Sequence, residues 1–187
     1  TGVYAPQIGK MVQIDIPIKP RRGQLLVTEE NPVLVKGVLC TSQYIASKYN
    51  PEIQPGDGAG LTVEATKSGN YLVGATREFV GYNNQVTHAG IQGIAANLIS
   101  VIPGFKTVKA IRYFAGLRPY TRDGLPILGT VPNLKGFFIA AGHEGDGIAL
   151  SPITGQLMAE YIMQKPLSIP LKSFRFSRFK PEKMSIE

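Results

Sequence analysis

Apolar positions along this chain recur at two spacings, and the change between them marks the elements. Short β-rich runs at 24–28, 61–66, 71–75 and 125–129 read as strands. Residues 33–38 and 38–46 are further strand candidates, and 106–113 is another, continued around a bend by 114–120. Lys67-Ser68-Gly69-Asn70 joins two of these runs as a hairpin turn. At the helical spacing, Ile91, Ile94, Ala95, Leu98 and Ile99 form one stripe. Thr87 stands where a cap belongs, and Pro103-Gly104 stops the helix after about Val101. His88 falls in its first turn, in a surface or capping position. Residues 6–11 predict a short helix with Pro6 in its first turn. Residues 15–20 read as extended, with Arg21 and Arg22 at a solvated corner behind them; either arginine could instead turn inward. The proline- and glycine-rich 48–60 reads as a loop, as does 131–136. The order β-β-β-β-α-β-β-α predicts an α+β fold: an antiparallel or mixed sheet with helices on one side. No early strand carries G-x-G-x-x-G, so a complete doubly wound nucleotide domain is not expected.

One stretch concentrates the chemistry. Residues 137–141, FFIAA, form an apolar strand. Gly142, Gly145 and Gly147 follow, with His143, Glu144 and Asp146 between them, and then a helix carrying Ile148, Ile153, Leu157, Tyr161 and Ile162. Glycines allow a sharp turn and close approach of a flat ligand. The helix start adds free N–H groups and partial positive charge. Strand, turn and helix start together suit an anionic or carbonyl-bearing group, or equally an ordinary tight connection. Arg118, in AGLRPY, is flanked by apolar residues and proline, so its guanidinium needs an acceptor. A protein carboxylate or a ligand carboxylate held bidentately would serve equally.

Composition narrows the classes. At 187 residues and 43% hydrophobic, the chain can bury a core. Its 21 glycines and 14 prolines favour strands and turns over a bundle. No apolar run reaches the length of a membrane span, and no signal peptide is visible. A single cysteine, Cys40, excludes an internal disulfide and fits a reducing, cytoplasmic setting. With only two histidines no metal-ligand spacing exists, so no metal is expected. The net charge of +7 raises nucleic acid as a partner. From Lys165 onward, however, six Lys/Arg stand against two Asp/Glu, and only +3 is spread over the preceding 164 residues. Phe174, Phe176 and Phe179 among those cations are read as pinning an extended tail, and nucleic acid is not expected. Thr1, free at an N-terminus, could be a nucleophile; a cut or processed start is the favoured reading.

AGLRPYTRDGLPILG, followed by FFIAAGHEGDGIALSPITGQLMAEYI, resembles the carboxy-terminal half of the D-amino-acid-oxidase family of FAD-dependent oxidoreductases. That family includes glycine oxidase, the sarcosine oxidase beta subunit, proline and hydroxyproline dehydrogenases and hydrogen cyanide synthase. The opening TGVYAPQIGKMVQIDIPIKPRRGQLLVTE, the hairpin GNYLVGATREFVGYN and the ending PLSIPLKSFRFSRF resemble family segments too. The resemblance implies that residues 1–12 end a segment of the FAD domain, 13–110 form the substrate-binding domain, 111–164 hold the GLRP segment and the flavin-contacting strand-turn-helix, and 165–187 form a basic tail. It implies that Gly142, His143, Glu144, Gly145, Asp146, Gly147 and Ile148 lie against the pyrimidine end of FAD. It places Arg118 on the carboxylate of an amino-acid or amine substrate, with Tyr120, Tyr44 and Arg77 as further pocket candidates. Hydride transfer to flavin then needs no catalytic acid or base if the amine arrives neutral. FAD is expected to be noncovalent and to need an amino-terminal half, which this sequence does not contain. Partners would be that half or other subunits, in a hetero- or homo-oligomer. The alternative is a truncated, non-catalytic module of the same fold that binds no FAD alone.

Overall fold

A computed structural model describes residues 1–31, 35–49 (47–49 by backbone alone) and 60–179. Most of the loop expected over 48–60 and part of the strand candidate 33–38 lie outside the described residues. The chain forms two compact units: Thr1–Lys19 with Arg118–Glu187, and Pro20–Leu117.

The Pro20–Leu117 unit is built on a five-stranded sheet. In chain order its strands are β1 (Ile18–Thr28), β2 (Val38–Cys40), β3 (Thr62–Ala65), β4 (Tyr71–Gly74) and β5 (Ala110–Thr121), and in space they run β2-β3-β4-β1-β5. The β3–β4 hairpin forms as the sequence reads, with Gly69 at a φ of 80° in the turn. Antiparallel pairing sets Leu26 opposite Val73 and Val63 opposite Val73 on β4's other side. Period-2 alternation therefore sends Leu26, Val63, Tyr71 and Val73 to one face. A helix, α3 (His88–Val101), covers that face through Ile94 and Leu98, with Ile91 and Ala95 at the margin. Thr87 caps it, its hydroxyl accepting from the Gly90 N–H at 3.2 Å, and exposed His88 takes no part in the core.

Three expectations are corrected here. Residues 38–46 are not one strand: β2 ends at Cys40, and α2 (Ser42–Tyr49) follows. The Thr41 carbonyl accepts from the Tyr44 and Ile45 amides, and its hydroxyl accepts from the Leu61 amide, so the chain turns there. Residues 106–120 are not a bent pair of strands. A 3-10 turn runs Pro103–Thr107, and β5 is then continuous through Thr121. Arg21 and Arg22 form no solvated corner but lie buried within β1. Arg22 forks onto the Glu78 carboxylate and donates to the Gln85 carbonyl at 2.8 Å. Gln24 extends this network, donating to Glu78 and to the Thr87 hydroxyl and accepting from the Thr87 amide at 2.7 Å.

The other unit holds α1 (Ala5–Met11), the antiparallel hairpin β6 (Ile127–Val131) and β7 (Leu134–Ala141), and α4 (Gly147–Ile162). Residues 131–136 thus belong mostly to the hairpin rather than to a loop. Ile16, Ile18, Ile127, Val131 and Ile139 make one cluster, and α4 sets Leu157, Ile153 and Tyr161 against Leu128. Ile148 and Ile162 do not join that face, being 93% and 50% exposed. At about 100° per residue, Ile148 stands roughly 140° around the helix from Ile153, and Ile162 is the helix's last residue. The tail is not extended either. It makes 3-10 turns at Lys172–Phe174 and Phe176–Arg178, and its three phenylalanines pack on the two clusters.

Burial alone would raise the Glu78 carboxyl, but the Arg22, Thr76 and Gln24 hydrogen bonds overcome it and hold the group below its ordinary value. Its stabilising contribution is complete above the unfolded value and fades as pH falls through the folded one. Glu78→Ala should cost about 3 kcal/mol in urea unfolding at pH 7, the low end for a buried pair, because 17% of the carboxylate side chain is exposed. The gap from wild type should shrink as titration proceeds below pH 4.5.

Candidate functional site

The site begins where β7 ends. Gly142 has a φ of 83°, and a Cβ there would lie 2.6 Å from the Thr121 methyl, so only glycine fits. Glu144 takes a φ of 50°, and its amide donates to the Pro119 carbonyl at 3.2 Å. The end of β5 and the glycine turn are thereby held side by side. The Asp146 amide then donates to the His143 carbonyl at 3.0 Å, and α4 starts. Its first-turn amides, at Gly147, Ile148 and Ala149, have no partner within the helix. Gly145, Ile148 and Ala149 are exposed, so the N–H end of α4 faces outward from this unit.

Arg118 stands on the neighbouring strand. Its Cδ and Nε lie 3.7 Å from where a Gly145 Cβ would be, so the structure brings the arginine stem alongside the turn. Tyr120 is half-buried on the same strand, and its hydroxyl donates to the Arg122 carbonyl at 3.3 Å. His143 turns toward α4, with Nε2 2.9 Å from the Thr154 hydroxyl. Burial lowers its pKa and the Asp146 charge opposes that, leaving the imidazole neutral at pH 7. Pro152 sits inside α4, yet the Ile148 carbonyl it would leave bare accepts from the Ser151 hydroxyl at 2.8 Å.

Tyr44 and Arg77 belong to the Pro20–Leu117 unit. The Arg77 guanidinium lies 4.2 Å from the Tyr44 ring centroid and donates to the Tyr44 carbonyl at 3.0 Å. A buried cation on an aromatic face forms a compact cationic wall.

Sequence reasoning missed Thr121 and Thr154 as supports of the turn. Thr121 is fully buried, and its hydroxyl donates to the Leu125 carbonyl at 2.8 Å. Nothing in a single sequence distinguishes such a threonine from a β-former. Among the described residues no three His, Cys, Asp or Glu gather to hold a metal, and no helix is long and apolar enough to cross a membrane.

Gly142→Ala should cost roughly 2–4 kcal/mol in urea unfolding, from left-handed strain plus overpacking on Thr121. In a Thr121→Ala background the overpacking part should vanish. Proton NMR should place the His143 titration below 6.5, and Asp146→Asn should move it lower still.

Comparison with known proteins gives the site its context. Hydrogen cyanide synthase subunit HcnC of Pseudomonas aeruginosa is 34% identical over 187 residues, 99% of this chain and 40% of that protein. Glycine oxidase of Geobacillus kaustophilus is 30% identical over 180 residues, 95% of this chain and 43% of the relative. The crystal structure of that glycine oxidase superposes with a TM-score of 0.82 at 24% identity, covering 96% of this chain and 44% of its own. L-proline dehydrogenase from P. horikoshii superposes equally well at 23% identity, covering 96% and 45%. The chain spans about two-fifths of the length of the curated relatives it matches. The family model described as FAD dependent oxidoreductase matches residues 1–161, and the chain belongs to that D-amino-acid-oxidase (DAO) family, whose members act on amino acids or amines with FAD.

Proposed function

We propose that this chain supplies the substrate-facing and flavin-contacting parts of an FAD-dependent oxidoreductase that oxidises an amino acid or secondary amine of the glycine, sarcosine or proline type. The observation that carries the reading is the meeting of Arg118 with the glycine turn, its stem 3.7 Å from the Gly145 Cβ position. The fit to FAD rests on the same turn. Gly142 is a position no side chain can occupy, and the outward N–H end of α4 suits the electron-rich pyrimidine edge. When bound, FAD supplies a two-electron acceptor for the carbon–nitrogen bond of the substrate.

This chain's residues then bind and orient. The Arg118 guanidinium grips the substrate carboxylate through paired hydrogen bonds, which fixes the carbon next to the amine relative to the turn. Amides of the turn and of the first turn of α4 would hold the cofactor's carbonyl edge, where their partial positive charge would favour negative charge. His143, neutral and tied to Thr154, holds the turn without itself moving a proton. FAD is held noncovalently, and its adenosine end needs a nucleotide-binding half supplied from outside this chain, in the same protein or as a separate subunit. The relative named glycine oxidase, at 30% identity, favours a small amino acid as substrate.

Thermal unfolding with and without FAD, once a nucleotide-binding half is supplied, tests the reading, because only a binding fold gains stability. The flavin-loaded protein should reduce a dye with glycine, sarcosine or proline. Arg118→Ala should raise KM by the equivalent of roughly 3–5 kcal/mol, with kcat less affected. An unchanged KM would remove Arg118 from the carboxylate.

A further inference from the structure

Arg178 lies 55 positions after Asp123, yet the two form a closely partnered ion pair. Arg178 Nε and Nη2 fork onto both oxygens of the Asp123 carboxylate. Nη2 also donates to the Leu125 carbonyl at 2.6 Å, and Nη1 to the Phe174 carbonyl at 2.8 Å and the Arg175 carbonyl at 3.3 Å. The guanidinium lies 4.2 Å from the Phe179 ring centroid. Five oxygen contacts and an aromatic face use the planar fork on every side, which a lysine cannot do. The arginine side chain is shielded at 15% exposed, while the aspartate, at 36%, stays open to solvent.

What this contact holds is the turn that follows β5. The Gly124 amide donates to the Thr121 carbonyl at 3.1 Å, and the Leu125 amide donates to Asp123 Oδ1 at 3.1 Å. The Leu125 carbonyl accepts from both Arg178 and Thr121. Thr121 in turn sets its methyl against Gly142, and Pro119, two residues earlier, receives the Glu144 amide. A continuous line of hydrogen bonds and one close contact therefore runs from the tail to the glycine turn and to the strand that carries Arg118. Phe174 on one core cluster, and Phe176 and Phe179 on the other, fix the tail end of that line.

We propose that Arg178 is a positioning residue. Its clasp on Asp123 and Leu125 holds residues 118–125 so that Arg118 and the glycine turn keep the spacing a carboxylate substrate and the flavin edge require. The inference rests on the function proposed above for that site. It assigns the basic tail a task inside the molecule, and it gives Asp123 a role that its place in a surface turn does not suggest. Burial would raise the Asp123 carboxyl, and the Arg178 hydrogen bonds and charge reverse that, keeping it ionised.

The test has two arms. In the 187-residue chain, amide NMR should show Arg178→Gln and Asp123→Asn each shifting Gly142, Gly145 and Gly147, while Gly69 and Gly74 of the other unit stay in place. The double variant should add little to either single one, since the two residues act through one contact. In the flavin-loaded protein, flavin absorbance should report acetate binding about tenfold weaker in Arg178→Gln, with Arg178→Lys between it and wild type and the Tm only slightly lower. A lowered Tm with unmoved glycine amides and unchanged acetate affinity would make Arg178 a tail anchor and nothing more. Should Arg178→Gln not fold, Arg178→Lys and Asp123→Asn decide the same question. If the wild-type protein takes up no flavin, the functional reading falls, and the amide shifts alone decide whether the clasp reaches the turn.

Discussion

The arrangement at the candidate site depends on one close approach, that of Gly142 to Thr121. A backbone carrying any Cβ at residue 142 would have to retreat by several tenths of an ångström from the Thr121 methyl. That retreat would carry β7, the turn and the start of α4 away from the strand bearing Arg118. The approach has support on both sides. Ile18, a residue of the same unit, lies 3.5 Å from the same Cβ position, and the Pro119 carbonyl holds the Glu144 amide. Steric exclusion here does what a hydrogen bond could not. A hydrogen bond tolerates several tenths of an ångström of slack, whereas closely packed atoms do not.

In the Pro20–Leu117 unit the ordering force is different. There a buried charge, Arg22, is neutralised by Glu78, and Gln24 carries the network to the cap of α3. The gain over an apolar alternative is small, since desolvation offsets most of the attraction. What the network contributes is geometry. Gln24 packs so closely on α3 that a Cβ at Gly90 would stand 2.4 Å from its Nε2. Helix and sheet therefore meet at one register through polar contacts, while Ile94 and Leu98 supply the hydrophobic free energy. The segment behind β4, which includes Arg77, is tied into the sheet by the same carboxylate, through the adjacent Glu78.

Much of this was legible in the sequence because it is local. The Thr87 cap, the Lys67–Asn70 turn and the stop at Pro103 each depend on residues within four positions of one another, and each stands where it was read. The glycine turn and Arg118 were both singled out, and a family resemblance joined them before any coordinates did. What the sequence could not show is pairing over distance. Arg22 with Glu78 spans 56 positions and Arg178 with Asp123 spans 55. Read singly, two arginines after a proline look like a corner, and a basic tail with three phenylalanines looks like an extended strap. The error over residues 38–46 has another origin. Periodicity cannot tell a short apolar run in a strand from one that begins a helix, and here the Thr41 carbonyl decides.

The start of α4 shows how a segment can be rigid without being buried. Ile148, Ala149 and Leu150 are all exposed, so packing contributes little to the first turn. Pro152 removes one donor from it as well. Side chains replace what is lost: Ser151 satisfies the Ile148 carbonyl, and Thr154 holds the His143 ring. Proline also fixes its own φ, which lowers the entropy the turn has to lose on ordering. A helix end left to fray would blur the direction of its amides, and an anion or carbonyl bound there would have to pay for ordering it. Braced in this way, the exposed end keeps its N–H groups aimed while leaving them open.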